Sequence, residues 1–279
     1  MEQILAGRPG VLELAARAWR SALGALVGML PLFAMVAAAL FALNYAFPQL
    51  ETALKIIRPG RTDIITLMSV SGAWAFALEK LLIGLAVSPA ALATMRHVLI
   101  DDGWRLSAGP LLRFWCWCAA VLVLSLGALY VSGLAVAPEL ALVAIVLKGV
   151  GVIIPLLFLM LFPAVAAGEP AASPAARMDK ALERWDGNIW RIVIMLALTA
   201  GPALLLQRLP TAIILRRPGA TADTVETFNA TLVGSALQSA LQVLLIVIVS
   251  SGIAWAFAFA RLPKPVQVPL GTTPLDAKK

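Results

Sequence analysis

Six apolar runs recur along this chain, at about Ala22 to Phe47, Ile64 to Met95, Phe114 to Ala137, Leu140 to Ala167, Ile189 to Gln207 and Thr231 to Ala260. Each is at least as long as the roughly 17 residues a helix needs to cross a bilayer. Inside hydrocarbon every backbone N–H and C=O must be paired within its own segment, so such runs fold as helices. The expected fold class is all-α, a polytopic membrane protein with about six transmembrane helices. Composition agrees, because 61% hydrophobic and 13% charged residues leave too little polar surface to dissolve a 279-residue globule. Residues 1–260 are read as a single transmembrane domain, and the proline-rich stretch 261–279 as a disordered cytoplasmic tail.

The second run contains Glu79 and Lys80. Split at that point, each half has only about 15 residues and could not span, so one long helix carrying both charges inside it is expected. Pro138-Glu139 is a tight turn that makes a hairpin, 114–167, of the third and fourth runs. Arg58-Pro59-Gly60 marks another turn.

Two shorter segments have a different pattern. In residues 1–20, Leu5, Val11, Leu12, Leu14, Ala15 and Trp19 alternate with Arg8, Arg17 and Arg20, which suggests an amphipathic helix in the membrane interface. A signal peptide is not expected there, since the charged prelude is long and no small-x-small site follows the apolar core. The second segment starts at Ser173-Pro174, a helix start in which the hydroxyl can cap and proline supplies the first helical φ. Met178, Leu182, Trp185 and Ile189 form its oily edge, and Arg177, Lys180, Glu183 and Arg184 its wet one. Gly187 offers the left-handed stop, Asn188 can cap the next helix, and Trp190 with Arg191 are an aromatic anchor and a cytoplasmic cation.

These residues carry a resemblance. Pro163-Ala164 at the end of an apolar helix, then a cytoplasmic helix, then Gly187-Asn188-Ile189-Trp190-Arg191 resembles the repeat element of a group of bacterial inner-membrane proteins. It is also similar to the membrane domain found beside glycerophosphodiester phosphodiesterases. Relatives carry threonine two residues before the glycine, where Trp185 stands here. The resemblance covers about one sixth of the chain, and it implies a fold and a bacterial inner-membrane location rather than an activity. No phosphodiesterase domain is expected, since the sequence ends at Lys279.

Counting cations tests the orientation. With both termini cytoplasmic, Lys and Arg favour the inside by 14 to 6, the outer six being Lys55, Arg58, Arg61, Arg208, Arg216 and Arg217. The net charge of +7 therefore reflects span ends, and no nucleic-acid partner is expected. Trp19-Arg20 and Pro31 recur at one offset as Trp190-Arg191 and Pro202, and Arg58-Pro59-Gly60 is echoed by Arg217-Pro218-Gly219. This suggests parallel repeats, 1–100 and 172–262, around the hairpin.

Charges in hydrocarbon cost about 2.5 to 3.5 kcal/mol on insertion scales, so Glu79, Lys80 and Lys148 are the intramembrane candidates. Adjacent helical residues point about 100° apart, so Glu79 is not expected to face Lys80. Lys148, near mid-depth, could instead pair with Glu79 across the second and fourth spans. Ser235, Gln238, Ser239 and Gln242 make a polar stripe on the sixth span, suited to interhelical hydrogen bonds or a polar cavity wall. Asp101-Asp102-Gly103 could hold a divalent cation on a lipid phosphate, or be a solvated turn. Cys116 and Cys118 are read as packing residues, and His97 as a headgroup contact at a span end. Gly149 and Gly151 lack the spacing of a phosphate loop.

No catalytic residue, metal site or cofactor is expected. The expected function is non-enzymatic, acting through contact with membrane lipids, an envelope protein partner or a second copy of the chain, with the interfacial helices as the surface. The alternative is a small proton- or ion-coupled transporter using Glu79 and Lys148. A lipid-modifying enzyme would need Asp101 and Asp102.

Overall fold

A computed structural model describes residues 10–53, 70–103, 106–134, 141–168, 189–216, 221–229 and 231–260. Among them the protein is all-α: α1 (Val11–Gly28), α2 (Leu30–Ala53), α3 (Val70–Ile100), α4 (Ala108–Leu134), α5 (Ala141–Leu157), a 3-10 turn (Phe158–Met160), α6 (Leu161–Ala166), α7 (Ile189–Leu215), α8 (Ala222–Asn229) and α9 (Leu232–Ala260). Four stretches are long and apolar enough to cross a bilayer: Leu78–Ile100, Ala108–Ala128, Trp190–Leu215 and Leu232–Ala260. Residues 11–28 and 30–46 pass the same test only as a bent pair. The chain is a polytopic, all-α membrane protein.

The first expected span is where structure and sequence part. In place of a helix from Ala22 to Phe47, α1 runs to Gly28 and α2 departs from it at 87°. Leu14, Ala15, Ala18, Ala22 and Ala25 form one uninterrupted buried stripe, so the amphipathic helix has no reason to stop at residue 20. It stops because Pro31 lacks an N–H and its ring would strike the carbonyl of Val27 if the helix continued straight. Met29, buried and off helical geometry at φ −120° and ψ 29°, is the corner.

In α3 the one-helix reading holds from Val70 onward, with Glu79 and Lys80 inside it. In the fourth expected span it does not. Residues 141–166 form α5, the 3-10 turn and α6, because Pro163 lacks the N–H that would bond the Leu159 carbonyl; Pro155, inside α5, likewise leaves the carbonyl of Gly151 without its helical donor. Ser125 of α4 donates its hydroxyl to that same carbonyl, so the neighbouring helix satisfies the group that proline leaves without a partner. This contact, with the burial of Phe114, Val121 and Ala144, packs α4 against α5, while the expected Pro138-Glu139 turn between them lies outside the described residues.

Other boundaries shift outward. The third span begins at Ala108 rather than Phe114, and the fifth continues past Gln207 to Leu215. The polar stretch before the sixth span contains a helix, α8. There the Thr224 hydroxyl accepts from the Thr221 N–H at 3.1 Å, a capping contact that short polar helices depend on. Thr231 then caps α9, its hydroxyl accepting from the Gly234 N–H at 3.1 Å.

α9 is the hub, packed against α1, α2, α3 and α7. One cluster unites Leu14 and Ala18 of α1, Met95 and Val98 near the end of α3, Phe114 at the start of α4, α6, Ile192 and Met195 at the start of α7, and Phe257 and Phe259 at the end of α9. Successive long helices therefore alternate in direction. Arg96, Arg113 and Arg191 lie at this end of the bundle and Arg208 and Arg216 at the other. α1 meets α9 through Ser251 and Trp255 near the α9 C-terminus, and a Cβ at Gly24 would stand 3.9 Å from His97 Nε2 of α3. It lies across the arginine-rich end.

The two proposed repeats differ in shape. Pro31 follows the 87° corner, whereas Pro202 sits within the continuous helix α7. The tail 261–279 and the expected second interfacial helix, with Gly187 and Asn188, lie outside the described residues.

Candidate functional site

Three polar arrangements and one helix surface stand out against an otherwise apolar molecule. The intramembrane charges come first. Lys80 Nζ lies 3.5 Å from Glu79 Oε1, both side chains partly buried. The expectation that adjacent residues would not meet is corrected: the Cα–Cβ directions diverge, but two long side chains can bend toward each other along the helix surface. The expected pairing of Glu79 with Lys148 is not formed. Lys148 is exposed on α5, a helix that packs on α4, so the second and fourth spans are not apposed at that level.

The polar stripe on α9 does what interhelical hydrogen bonding requires, and the partner is a residue that pattern reading passed over. Asn44 of α2 donates from Nδ2 to Ser239 Oγ at 2.9 Å and to Gln242 Oε1 at 3.2 Å. Ser235 donates to the Asn229 carbonyl at 2.8 Å, and Ser239 back to the Ser235 carbonyl at 2.7 Å. Ser235 and Ser239 are fully buried, while Gln238 and Gln242 are half-buried. A signal for Asn44 existed. It extends the buried α2 stripe of Leu32, Val36 and Leu40 by one more step of four, and an amide there needs a partner on the facing helix.

At the arginine-rich end the charges are distributed unequally. Arg96 donates to the Asp102 carboxylate at 3.2 Å, to the Asp102 carbonyl at 3.3 Å and to the Ala166 carbonyl at 3.4 Å. It thus closes the end of α3 and caps the last turn of α6, where carbonyls have no helical partner. Asp101, at φ +55°, turns the chain out of α3, and its carboxylate reaches His97 at 3.7 Å while remaining largely exposed. The two aspartates therefore diverge, one inward onto Arg96 and one outward. Gly103 is packed so tightly that a Cβ would stand 2.5 Å from Met29 Sδ at the α1–α2 corner. The Asp-Asp-Gly segment is a structural turn that ties α3 to that corner. Cys118 packs against the core as expected, beside Ser88, whereas Cys116 is exposed.

α1 completes the picture. Arg17 pairs with Glu13 at 2.5 Å and lies 5.8 Å over the ring of Trp255, whose indole N–H donates to Ser21 at 3.0 Å. Ser251 donates to the Ala18 carbonyl at 2.8 Å. At 100° per residue, α1 then divides into three sectors. One is the buried stripe on the bundle. A second holds Leu12, Leu23 and Val27, which are 75%, 55% and 83% exposed, flanked by half-buried Trp19. The third holds Glu13, Arg17, Arg20 and Gly24. A helix between protein and water needs two sectors; one that also borders hydrocarbon needs three.

Arg191 and Trp190 open α7, both exposed, and α7 packs against α1. In comparisons with family models, with curated proteins and with solved structures, nothing matches this chain.

Proposed function

We propose that this membrane protein works by contact rather than catalysis, and that α1 is its lipid-facing element, lying in the plane of the bacterial inner membrane at the cytoplasmic surface. The observation that carries the reading is the 87° corner at Met29 together with the three sectors of α1. If α2 crosses the bilayer, α1 runs along it. Its small-residue stripe then rests on the bundle, Leu12, Leu23 and Val27 enter the acyl region, and Glu13 and Arg20 meet headgroups and water. The cation bias and the resemblance around Trp190-Arg191 support the cytoplasmic side and the inner membrane. An envelope protein or a second copy of the chain would bind beside this helix.

Single cysteines placed in a background lacking Cys116 and Cys118, with the protein in liposomes, test the depth. Fluorophores on Leu23→Cys and Val27→Cys should be quenched by lipids brominated on their acyl chains, and one on Glu13→Cys by an aqueous quencher. Aqueous quenching at all three positions would refute the in-plane placement. Trp190→Ala with Arg191→Ala should disturb localisation or assembly, while Glu79→Gln should change only stability. Ion-coupled uptake by the reconstituted protein that Glu79→Gln abolishes without unfolding would overturn the non-transport reading.

A further inference from the structure

Lys148 is exposed on α5 and, among the described residues, its ammonium has no carboxylate beside it. Its depth follows from the contact between Ser125 of α4 and the Gly151 carbonyl of α5. The two helices are antiparallel, so Lys148, three residues before Gly151, stands level with Ala128, three after Ser125. On α4 the exposed Arg113 lies 15 residues to one side of that level and Leu134 six to the other, about 22 Å and about 9 Å at helical rise. Lys148 is therefore rooted inside a hydrocarbon layer of about 30 Å, about 9 Å from its nearer edge. The surface around it is apolar. Leu142, Ile145, Val146 and Ile153 are exposed, Ile145 three residues from Lys148 on an adjoining face. Gly149 has no side chain, and a Cβ there would meet nothing within 4 Å.

We infer that α5 docks a transmembrane helix of another membrane protein, one that carries an aspartate or glutamate level with Lys148. Charge complementarity selects this occupant. Lipid tails cover aliphatic side chains but have nothing to neutralise an ammonium, which is why lysines within membranes pair with carboxylates. A second copy of the chain does not supply the charge. Within the described membrane-crossing stretches the one carboxylate is Glu79, partly buried and paired with Lys80 at 3.5 Å. A helix suits the surface because it offers apolar side chains along the exposed length of α5 and pairs its own backbone groups. The bare backbone at Gly149 lets it approach closely. None of this depends on how α1 lies.

The test uses the full chain, donor-labelled, in phosphatidylcholine liposomes with acceptor-labelled synthetic helices of leucine and alanine. Each helix carries Glu, Gln or Lys at one position about 9 Å from one end of its apolar span, and Förster transfer reports association. Wild type should bind the Glu helix about tenfold more tightly than the Gln helix, as expected for a charge-assisted contact. Lys148→Leu should lose that preference, Lys148→Arg should keep it, and Lys148→Glu should transfer it to the Lys helix. A detergent unfolding titration checks that each variant is folded. Equal binding of the Glu and Gln helices by wild type would overturn the site, and is the result expected if the ammonium only reaches up to the headgroups. Preference surviving Lys148→Leu, or lost in folded Lys148→Arg, would overturn it too. Transfer between two differently labelled copies of the chain that Lys148→Leu abolishes would overturn the assignment to another protein.

Discussion

α9 and α4 are both long apolar helices, yet 72% of the most apolar window of α9 is buried inside the protein against 17% for α4. Hydrophobicity does not predict the difference, since the buried α9 is the more apolar of the two and hydrocarbon accepts either a lipid neighbour or a protein one. The small residues do. The buried end of α9 reads Ser250, Ser251, Gly252, then Ala254, Ala256 and Ala258 between larger side chains, which lets other helices approach its backbone. α4 instead presents Leu112, Val123 and Leu124 outward, and its partner α5 presents Leu142, Ile145 and Val146. On α9 small and polar groups let helices approach closely, and large side chains such as Phe257 and Phe259 then fill the core beside them.

The strongest way to break this comparison is a matched pair of glycines. A Cβ at Gly252 would stand 2.7 Å from Thr199 Oγ1, whereas one at Gly149 on α5 would meet nothing within 4 Å. Gly252→Leu should cost about 3 kcal/mol or prevent folding, since the buried Thr199 side chain it would strike is held by the Met195 and Leu196 carbonyls and cannot give way. Gly149→Leu should be close to neutral in the same detergent unfolding titration. Equal costs would show that burial in α9 does not reflect tight packing.

Arg96→Gln comes next. It removes the charged contacts that join the end of α3 to α6, and should cost about 2 kcal/mol. Hydrogen exchange should rise at Leu161–Ala166 but not in α5, which packs elsewhere.

Within the lipid-facing hairpin, the largest effect should come from a single carbonyl. Ser125→Ala leaves the Gly151 carbonyl without the donor that Pro155 cannot supply, at about 1 kcal/mol. Pro155→Ala restores the backbone N–H, so Ser125→Ala should become nearly silent in that background. A cycle showing no coupling would disprove the compensation.

The smallest effect is expected at the amide ladder. Double-mutant cycles of Asn44→Leu and Gln242→Leu should give about 0.6 kcal/mol of coupling, the usual size of an interhelical hydrogen bond in membranes. A value near zero would mean that α2 is held to α9 by apolar packing alone.

The polar stripe of α9 was readable because i, i+3, i+4, i+7 periodicity marks one helical face whatever covers it. Its partner was not, since a lone Asn44 in an apolar run has no periodicity of its own. The pairing of Glu79 was misread for a related reason: spacing gives the direction of Cα–Cβ bonds, while the reach of long side chains and the choice of neighbouring helix decide contacts. The divergence of Asp101 and Asp102 depends on a left-handed φ at Asp101 that no composition rule anticipates.

By itself the sequence determined that this protein lives in a membrane, that its backbone is helical, and that cations gather at alternate span ends, because the cost of exposing peptide groups to hydrocarbon permits little else. Only the tertiary structure decided that the first apolar run turns a corner at Met29, that α9 sits at the centre, and which arginines are used up internally. Those outcomes depend on which small surfaces meet. Within the bilayer hydrophobicity is nearly indifferent between protein and lipid, so close packing and polar pairing make the choice.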